Sequence, residues 1–570
     1  MQRSIGQKAD ANGANGTNGH TNGQASNHYE LDACIVGAGF AGVYLLHRLR
    51  QEGFNVKIVE AGTAIGGIWH WNSYPYVLRS RDSIGSGARV DSQYPVYAYS
   101  IPEVYKSWTW SEQYPGEKEL KRYFRHVDDV LDISKDVLYE HKVVAAMFEA
   151  SENKWQIECE NGTRITARFF LCCLGFAAKR HFPDWPGLES YKGYICHSSF
   201  WPAEGVDVKG KRVAVVGTGA TGIQIAQETA KDAAHLTCFV RTPNLCIPMN
   251  QGPVDPEQAV KDLENLHEQL NTLRYVSNGG FLYANPTKGV LDDQPEVREA
   301  VFEEAWRLGG FRLVFTYKDI LTSQEANDEV YAFWVKKQRA RMTDPEKRDL
   351  LAPEVQPHPF GGKRPSLEQD YYERMDQKHV TLVNVRKNNV SHVVENGIVT
   401  EDGQLHEIDV LAVATGFDSL TGGYKDLDIT GLDGVKLAQK WKMGTYTYLG
   451  MSIAGFPNLL YTYGPQSPTA YANGPSIVEP QDEWIISVMK KMREQGKTRF
   501  NPNEDAEQEW KQTINKLHSL SLRDKVDGWY MGTNIPGKPR EALNYAGGVP
   551  LYLKTIRDVV EQDFRGFTVT

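Results

Sequence analysis

Gly37-Ala38-Gly39-Phe40-Ala41-Gly42 and Gly217-Thr218-Gly219-Ala220-Thr221-Gly222 decide the fold of this 570-residue chain. Each is a Gly-x-Gly-x-x-Gly loop, and the residues around it make the reading specific. Residues 31–36 form a short apolar run that predicts a strand, residues 40–49 a helix and residues 56–60 the next strand. In such a unit Gly37 permits the tight turn and Gly39 lets the backbone approach a pyrophosphate. Gly42 lets helix and strand pack closely, and the helix N-terminus holds the phosphates. Glu60 closes the second strand, where a carboxylate can take a ribose hydroxyl. The second unit repeats this grammar with a strand over 212–216, a helix over 220–230 and a strand over 236–240. It ends on Arg241-Thr242 instead of an acid. A guanidinium and a hydroxyl suit a 2′-phosphate, which a carboxylate would repel, so this unit is expected to take NADPH rather than NADH. The expected fold is α/β, with two Rossmann-type dinucleotide-binding domains that hold two dinucleotides at once.

The rest of the chain is organised around these two units. Its length exceeds what one core supports. A net charge of −9 leaves no basic footprint for nucleic acid. Seven scattered cysteines without a Cys-x-x-Cys pair point to reduced thiols, a cytoplasmic setting and no metal site. Residues 1–28 are rich in Asn, Gly, Ser and Thr, lack an apolar signal core, and read as a disordered leader. No apolar run approaches the ~20 residues that span a bilayer. Residues 251–344 carry amphipathic helical runs and no glycine loop, so they read as a helical insertion into the second domain. The expected division is residues 29–170 and 389–570 for the first domain, and 171–250 with 345–388 for the second. A late strand over 409–414 is assigned to the first domain.

Between the glycine loops lies Tyr191-Lys192-Gly193-Tyr194-Ile195-Cys196-His197-Ser198-Ser199-Phe200-Trp201-Pro202. The pattern aromatic-x-Gly-x3-His-x3-Trp-Pro closely resembles the signature of the Baeyer–Villiger monooxygenases, with Tyr191 where that family normally has Phe. Further segments extend the resemblance over nearly all of residues 31–553. They include Gly66-Gly67-Ile68-Trp69-His70-Trp71-Asn72-Ser73-Tyr74-Pro75, which resembles the flavin-side loop, and Arg241-Thr242-Pro243-Asn244, which resembles the nicotinamide-phosphate loop. Lys363-Arg364-Pro365 resembles the catalytic-arginine segment. Trp529-Tyr530-Met531-Gly532-Thr533-Asn534-Ile535-Pro536-Gly537-Lys538-Pro539-Arg540 resembles the late loop that folds over NADP.

The resemblance implies an FAD- and NADPH-dependent enzyme. Such enzymes use O2 to form a flavin C4a-peroxide, which attacks a ketone and yields an ester or lactone. It casts Arg364 as the cation beside the reacting atoms, and Asp91 of Gly87-Ala88-Arg89-Val90-Asp91 as its carboxylate partner. Gly37, Gly39, Gly42, Glu60, Gly67, Trp69, Trp71 and Tyr74 fall to FAD. Gly217, Gly219, Thr221, Gly222, Arg241, Thr242, Lys363 and Trp529 fall to NADP. His197, with Gly193 and Trp201, is cast as a coupler of the two domains rather than an acid or base. One departure stands out. In the family Tyr-Pro runs directly into Gly-Ala-Arg-x-Asp, whereas here residues 76–86 intervene. Lengthening a loop costs only ~0.6 kcal/mol per doubling, so the fold is expected to survive. The insert is nevertheless expected to hold Asp91 less firmly against Arg364. A heteroatom-oxidising flavin monooxygenase, and a pseudoenzyme or uncoupled NADPH oxidase disabled by the insert, are the competing readings.

Overall fold

The computed structural model describes residues 28–74, 87–202 and 204–570. Of the leader expected over residues 1–28, residues 1–27 lie outside the described residues, as does the insert at 76–86, and His28, counted in that leader, instead opens a strand. Two sheets organise the molecule. In the first, the strand His28–Val36 lies parallel between Val56–Val59 and Arg164–Cys172. Beyond Arg164–Cys172 the sheet continues through an antiparallel meander, Lys154–Cys159 and Val143–Glu149. Leu459–Tyr461 returns from the far end of the chain to lie parallel to Arg164–Cys172.

Helix α1 (Phe40–Gln51) follows the first glycine loop and is apolar nearly all round, burying Val43, Tyr44, Leu45, Leu46 and Leu49. A helix of that kind needs cover on both sides. The sheet supplies one and a long helix, Gly474–Glu494, the other. The helix Glu117–Leu131, by contrast, buries Leu120, Tyr123, Phe124 and Val127, a single stripe at helical spacing. Gly42 allows α1 its close approach: a Cβ there would stand 1.9 Å from the Gly37 carbonyl oxygen.

The second sheet is all parallel, in the order Val380–Asn384, His235–Val240, Arg212–Val216, Val410–Val413, Tyr194–His197. Helix α2 (Ala220–Thr229) follows its glycine loop. This corrects the expected place of the late strand. Residues 410–413 pair with Arg212–Val216 and Tyr194–His197, so they belong to the second domain, which continues past residue 389. Leu411 and Val413 pack with Val390, Val393 and Ile398 of the hairpin that precedes them. An apolar run buried on both faces reads the same in either sheet, and its partner strands are set by distant segments.

The helical insertion appears as Pro256–Glu264, Leu266–Tyr275, Pro295–Leu308 and Gln324–Arg339, with a further short helix at Pro345–Leu351 beyond its expected end. It is anchored on the second domain by Trp334 and Gln338, whose side chains both donate to the Cys246 carbonyl, at 2.7 and 2.9 Å. All seven cysteines are unpaired and buried. Among the described residues no helix is long and apolar enough to cross a membrane. The helix Gly474–Glu494, α3, also carries a buried acid, Asp482, whose pKa burial raises well above the ordinary range, with Glu479 and Glu483 adding to the shift.

Candidate active site

Both glycine loops end at helix N-termini that no side chain caps. Gly39 begins α1 and Gly219 begins α2, each without a side-chain hydrogen bond to the first turn. The first-turn amides therefore want an anion, and two pyrophosphates fit them. At Gly219 nothing lies within 4 Å of where a Cβ would be, while Gly217 and Gly222 are crowded by the Ala414 carbonyl and by the loop itself. Glu60 is buried, and its two oxygens accept from the Ala38 and Gly62 amides, both at 2.7 Å. Burial raises its pKa and these amide bonds oppose the rise. The expected ribose ligand thus also stitches its own loop together. Across the loop, Gly66 donates to the Ala38 carbonyl at 2.8 Å, and Gly67 packs directly on Gly39. Trp69 donates to the Tyr97 hydroxyl at 3.1 Å, and Trp71 stands edge-on to His70. Tyr74 and Thr221, assigned to different cofactors, meet each other at 3.0 Å. Burial pushes the Tyr74 hydroxyl up to about 12.

Arg364 and Asp91 face each other across the seam between the domains. Nε and Nη2 of Arg364 donate to the two oxygens of Asp91, both at 2.7 Å, and Nη1 donates to the Ala470 carbonyl at 3.2 Å. Burial alone would lower the Arg364 pKa, but Asp91 outweighs it and holds the guanidinium above its ordinary value. Asp91 thus stands in place against Arg364 with residues 76–86 present in the chain. Residues 87–91 are pinned from the other side: Val90 donates to the Pro115 carbonyl at 3.2 Å and Glu117 to Ala88 at 2.8 Å. The Arg89 side chain is held by Glu112 and the Tyr114 carbonyl. Aromatic rings from the helical insertion roof the cation, with Phe281 and Phe311 centroids at 5.3 and 4.7 Å. Tyr463 and Tyr530 complete its surroundings.

The expected 2′-phosphate contacts gather at one place, with a third cation that the sequence reading missed. Arg386 donates from Nε to the Arg241 carbonyl at 2.7 Å and from Nη2 to Thr242 Oγ1 at 2.9 Å. Burial lowers the Lys363 pKa, and Arg241 and Arg386 lower it further. Arg386 follows the strand Val380–Asn384, which lies beside the strand that Arg241 ends. That adjacency is the signal that could have found it.

The signature segment is fastened within the second domain. Ser199 N donates to His197 Nδ1 at 3.3 Å, so the ring proton sits on Nε2 and donates to the Gly416 carbonyl at 3.1 Å. Burial lowers the His197 pKa to about 4, which keeps the ring neutral. The segment's edge strand is thereby fastened to the loop that follows the neighbouring strand. Gly193 has no room for a side chain, because a Cβ would meet the Tyr191 hydroxyl at 2.3 Å. Trp201 is buried, with no hydrogen-bond partner for its indole N–H. Trp529 stacks on Phe176 at 5.6 Å. Its loop grips residues 416–419: Asn534 donates to the Phe417 carbonyl and Lys538 pairs with Asp418, both at 2.8 Å.

Residues 32–248 match the flavin-binding monooxygenase-like family. The chain is 40% identical to a cyclopentanone 1,2-monooxygenase of a Comamonas species, over 95% of this chain and 96% of that one. It is 42% identical to the FAD-binding monooxygenase acrE of Aspergillus aculeatus, over 95% and 89%. A protein of Pseudooceanicola batsensis described as a Baeyer-Villiger monooxygenase is 34% identical, over 94% of this chain and 97% of that one. Among solved structures, cyclohexanone monooxygenase from a Rhodococcus species bound to NADP+ superposes with a TM-score of 0.90 at 32% identity, covering 95% of this chain and 99% of that one. With two nucleotide loops, a paired arginine at their seam and relatives of this kind along its whole folded length, the chain belongs to the Baeyer–Villiger monooxygenases, FAD- and NADPH-dependent enzymes that place one oxygen atom of O2 beside a ketone carbonyl.

Proposed function

We propose that this protein oxidises an apolar ketone at the Arg364–Asp91 pair, with Phe281 and Phe311 as walls of the substrate space. The observation that carries this reading is the two-bond pair itself, set under aromatic rings at the seam of the two nucleotide domains. When bound and reduced, the flavin supplies the oxygen-activating chemistry. The chain's residues supply the electrostatics. Negative charge grows on the ketone oxygen as oxygen adds to the carbonyl carbon, and a preoriented guanidinium stabilises it. Arg364 keeps its proton, so it stabilises that charge without quenching it. Asp91 fixes the plane of the guanidinium and leaves Nη1 directed at the Ala470 side. The apolar walls exclude water and strengthen the interaction. On this reading Arg241, Lys363, Thr242 and Arg386 take the 2′-phosphate of NADPH, and neutral His197 keeps the domains in register.

Replacing Arg364 with alanine tests the assignment. The variant is expected to retain FAD, whose loops are elsewhere, and to go on oxidising NADPH. Ester formation should fall by about 100-fold or more, with hydrogen peroxide released in its place. Near-normal ester formation would remove Arg364 from the chemistry.

A further inference from the structure

One face of α2 makes two hydrogen bonds across the seam. Thr221 Oγ1 meets the Tyr74 hydroxyl at 3.0 Å. Gln224, one turn along, donates from Nε2 to the Arg89 carbonyl at 3.3 Å. Residues three apart share a helix face, so both bonds fall on the same edge of one rigid rod. The two partners belong to the first domain, Tyr74 at the end of the flavin-side loop and Arg89, whose carbonyl accepts from Gln224, two residues before Asp91. The Arg89 side chain is locked between Glu112 and the Tyr114 carbonyl. The Arg89 carbonyl belongs to the peptide that joins Arg89 to Val90, one residue short of Asp91. At its other end, α2 opens at Gly219, the uncapped helix start that suits the phosphates of the second nucleotide.

We propose that Gln224 is a positioning residue for oxygen transfer. It couples the placement of the nucleotide-loaded second domain to the backbone beside Asp91, and through Asp91 to the Arg364 guanidinium. One helix thus carries the nucleotide at its tip and the carboxylate's loop on its flank. A displaced nucleotide domain would pull through Gln224 on the backbone two residues before Asp91. Gln224 touches neither the guanidinium nor the reacting atoms. Its effect is on whether reducing equivalents end in product or in peroxide. The inference rests on the reading of Asp91 and Arg364 given above.

The test is a double-mutant cycle on the FAD-loaded enzyme. Gln224→Met keeps the length of the side chain and removes the donor, and Gln224→Glu keeps the shape but turns an acceptor toward a carbonyl. Both are expected to lower the fraction of NADPH that ends in oxygenated product by about threefold to tenfold, short of the ~100-fold that a 1 Å misplacement can cause. The rate of flavin reduction and the KM for NADPH should change little, since the phosphate contacts are untouched. In an Asp91→Asn background the same substitutions should cause no further fall, because the group they act through is already disabled. An unchanged product fraction in both variants, or an equal proportional fall in both backgrounds, overturns the proposal. If Asp91→Asn alone turns NADPH into product as efficiently as wild type, it is the reading of Asp91 that fails.

Discussion

The two glycine-loop units share a backbone plan and differ in what stands at the end of the second strand. In the first, Glu60 is already satisfied by the amides of its own loop, Ala38 and Gly62. In the second, Arg241, Lys363 and Arg386 crowd together, and their mutual repulsion lowers the Lys363 pKa beyond what burial does. In the first the acid is braced by its own loop; in the second clustered cations are only partly offset, by Asp527. The contrast shows how a single architecture serves two nucleotides with opposite roles. A retained cofactor is best held by a loop that is internally braced. On the proposed reading, a nucleotide that must be told from its unphosphorylated twin is met by clustered positive charge.

Of the changes that bear on this contrast, removing a cation from the second unit should have the largest effect. Arg241→Ala is expected to raise the KM for NADPH by about 10- to 100-fold, the worth of one charge-assisted phosphate bond at ~1.5–3 kcal/mol, and to leave that for NADH little changed. Steady-state kinetics with both nucleotides decide it. A wild-type enzyme that already prefers NADH would erase the contrast. In the first unit, Glu60→Gln must turn its NH2 toward the amide of Ala38 or of Gly62. FAD should then dissociate about tenfold more readily, a loss of ~1.4 kcal/mol, as measured by flavin fluorescence on dilution. Equal FAD retention would show that the brace is not needed.

The smallest effect concerns Asp482, behind α1. Its folded pKa lies above the unfolded value, so its contribution to stability is fully present below the unfolded carboxylate pKa and is lost as pH rises through the folded one. Asp482→Asn should therefore stabilise by about 1 kcal/mol at neutral pH, with the gain shrinking toward pH 4, in melts recorded across pH. A gain that grows on acidification would contradict the assignment.

Much of this organisation was legible in the sequence because it is local. Turn, helix start and strand end lie within one short βαβ unit, so the bounds expected at 212–216 coincide with the strand Arg212–Val216. The resemblance also brought Arg364 and Asp91 together across 273 positions. What escaped was pairing between distant segments. The run at 410–413 carries the apolar character of a central strand but no mark of which sheet it enters. Arg386 looks like any surface arginine until the strand before it is laid beside His235–Val240. The brace on residues 87–91 comes from residues 112–117, a long-range support that reasoning from the insert alone did not include.

Phe281 and Phe311, which roof the Arg364 guanidinium, come from the helical insertion, whereas the charges beneath them come from the two nucleotide domains. On the proposed function, reactivity and shape are thus written in separate stretches of the chain, and drift in residues 251–344 would refit the substrate space while the machinery below stays as it is. A scaffold divided in this way is well suited to diversification, because it can change its diet without relearning its trade.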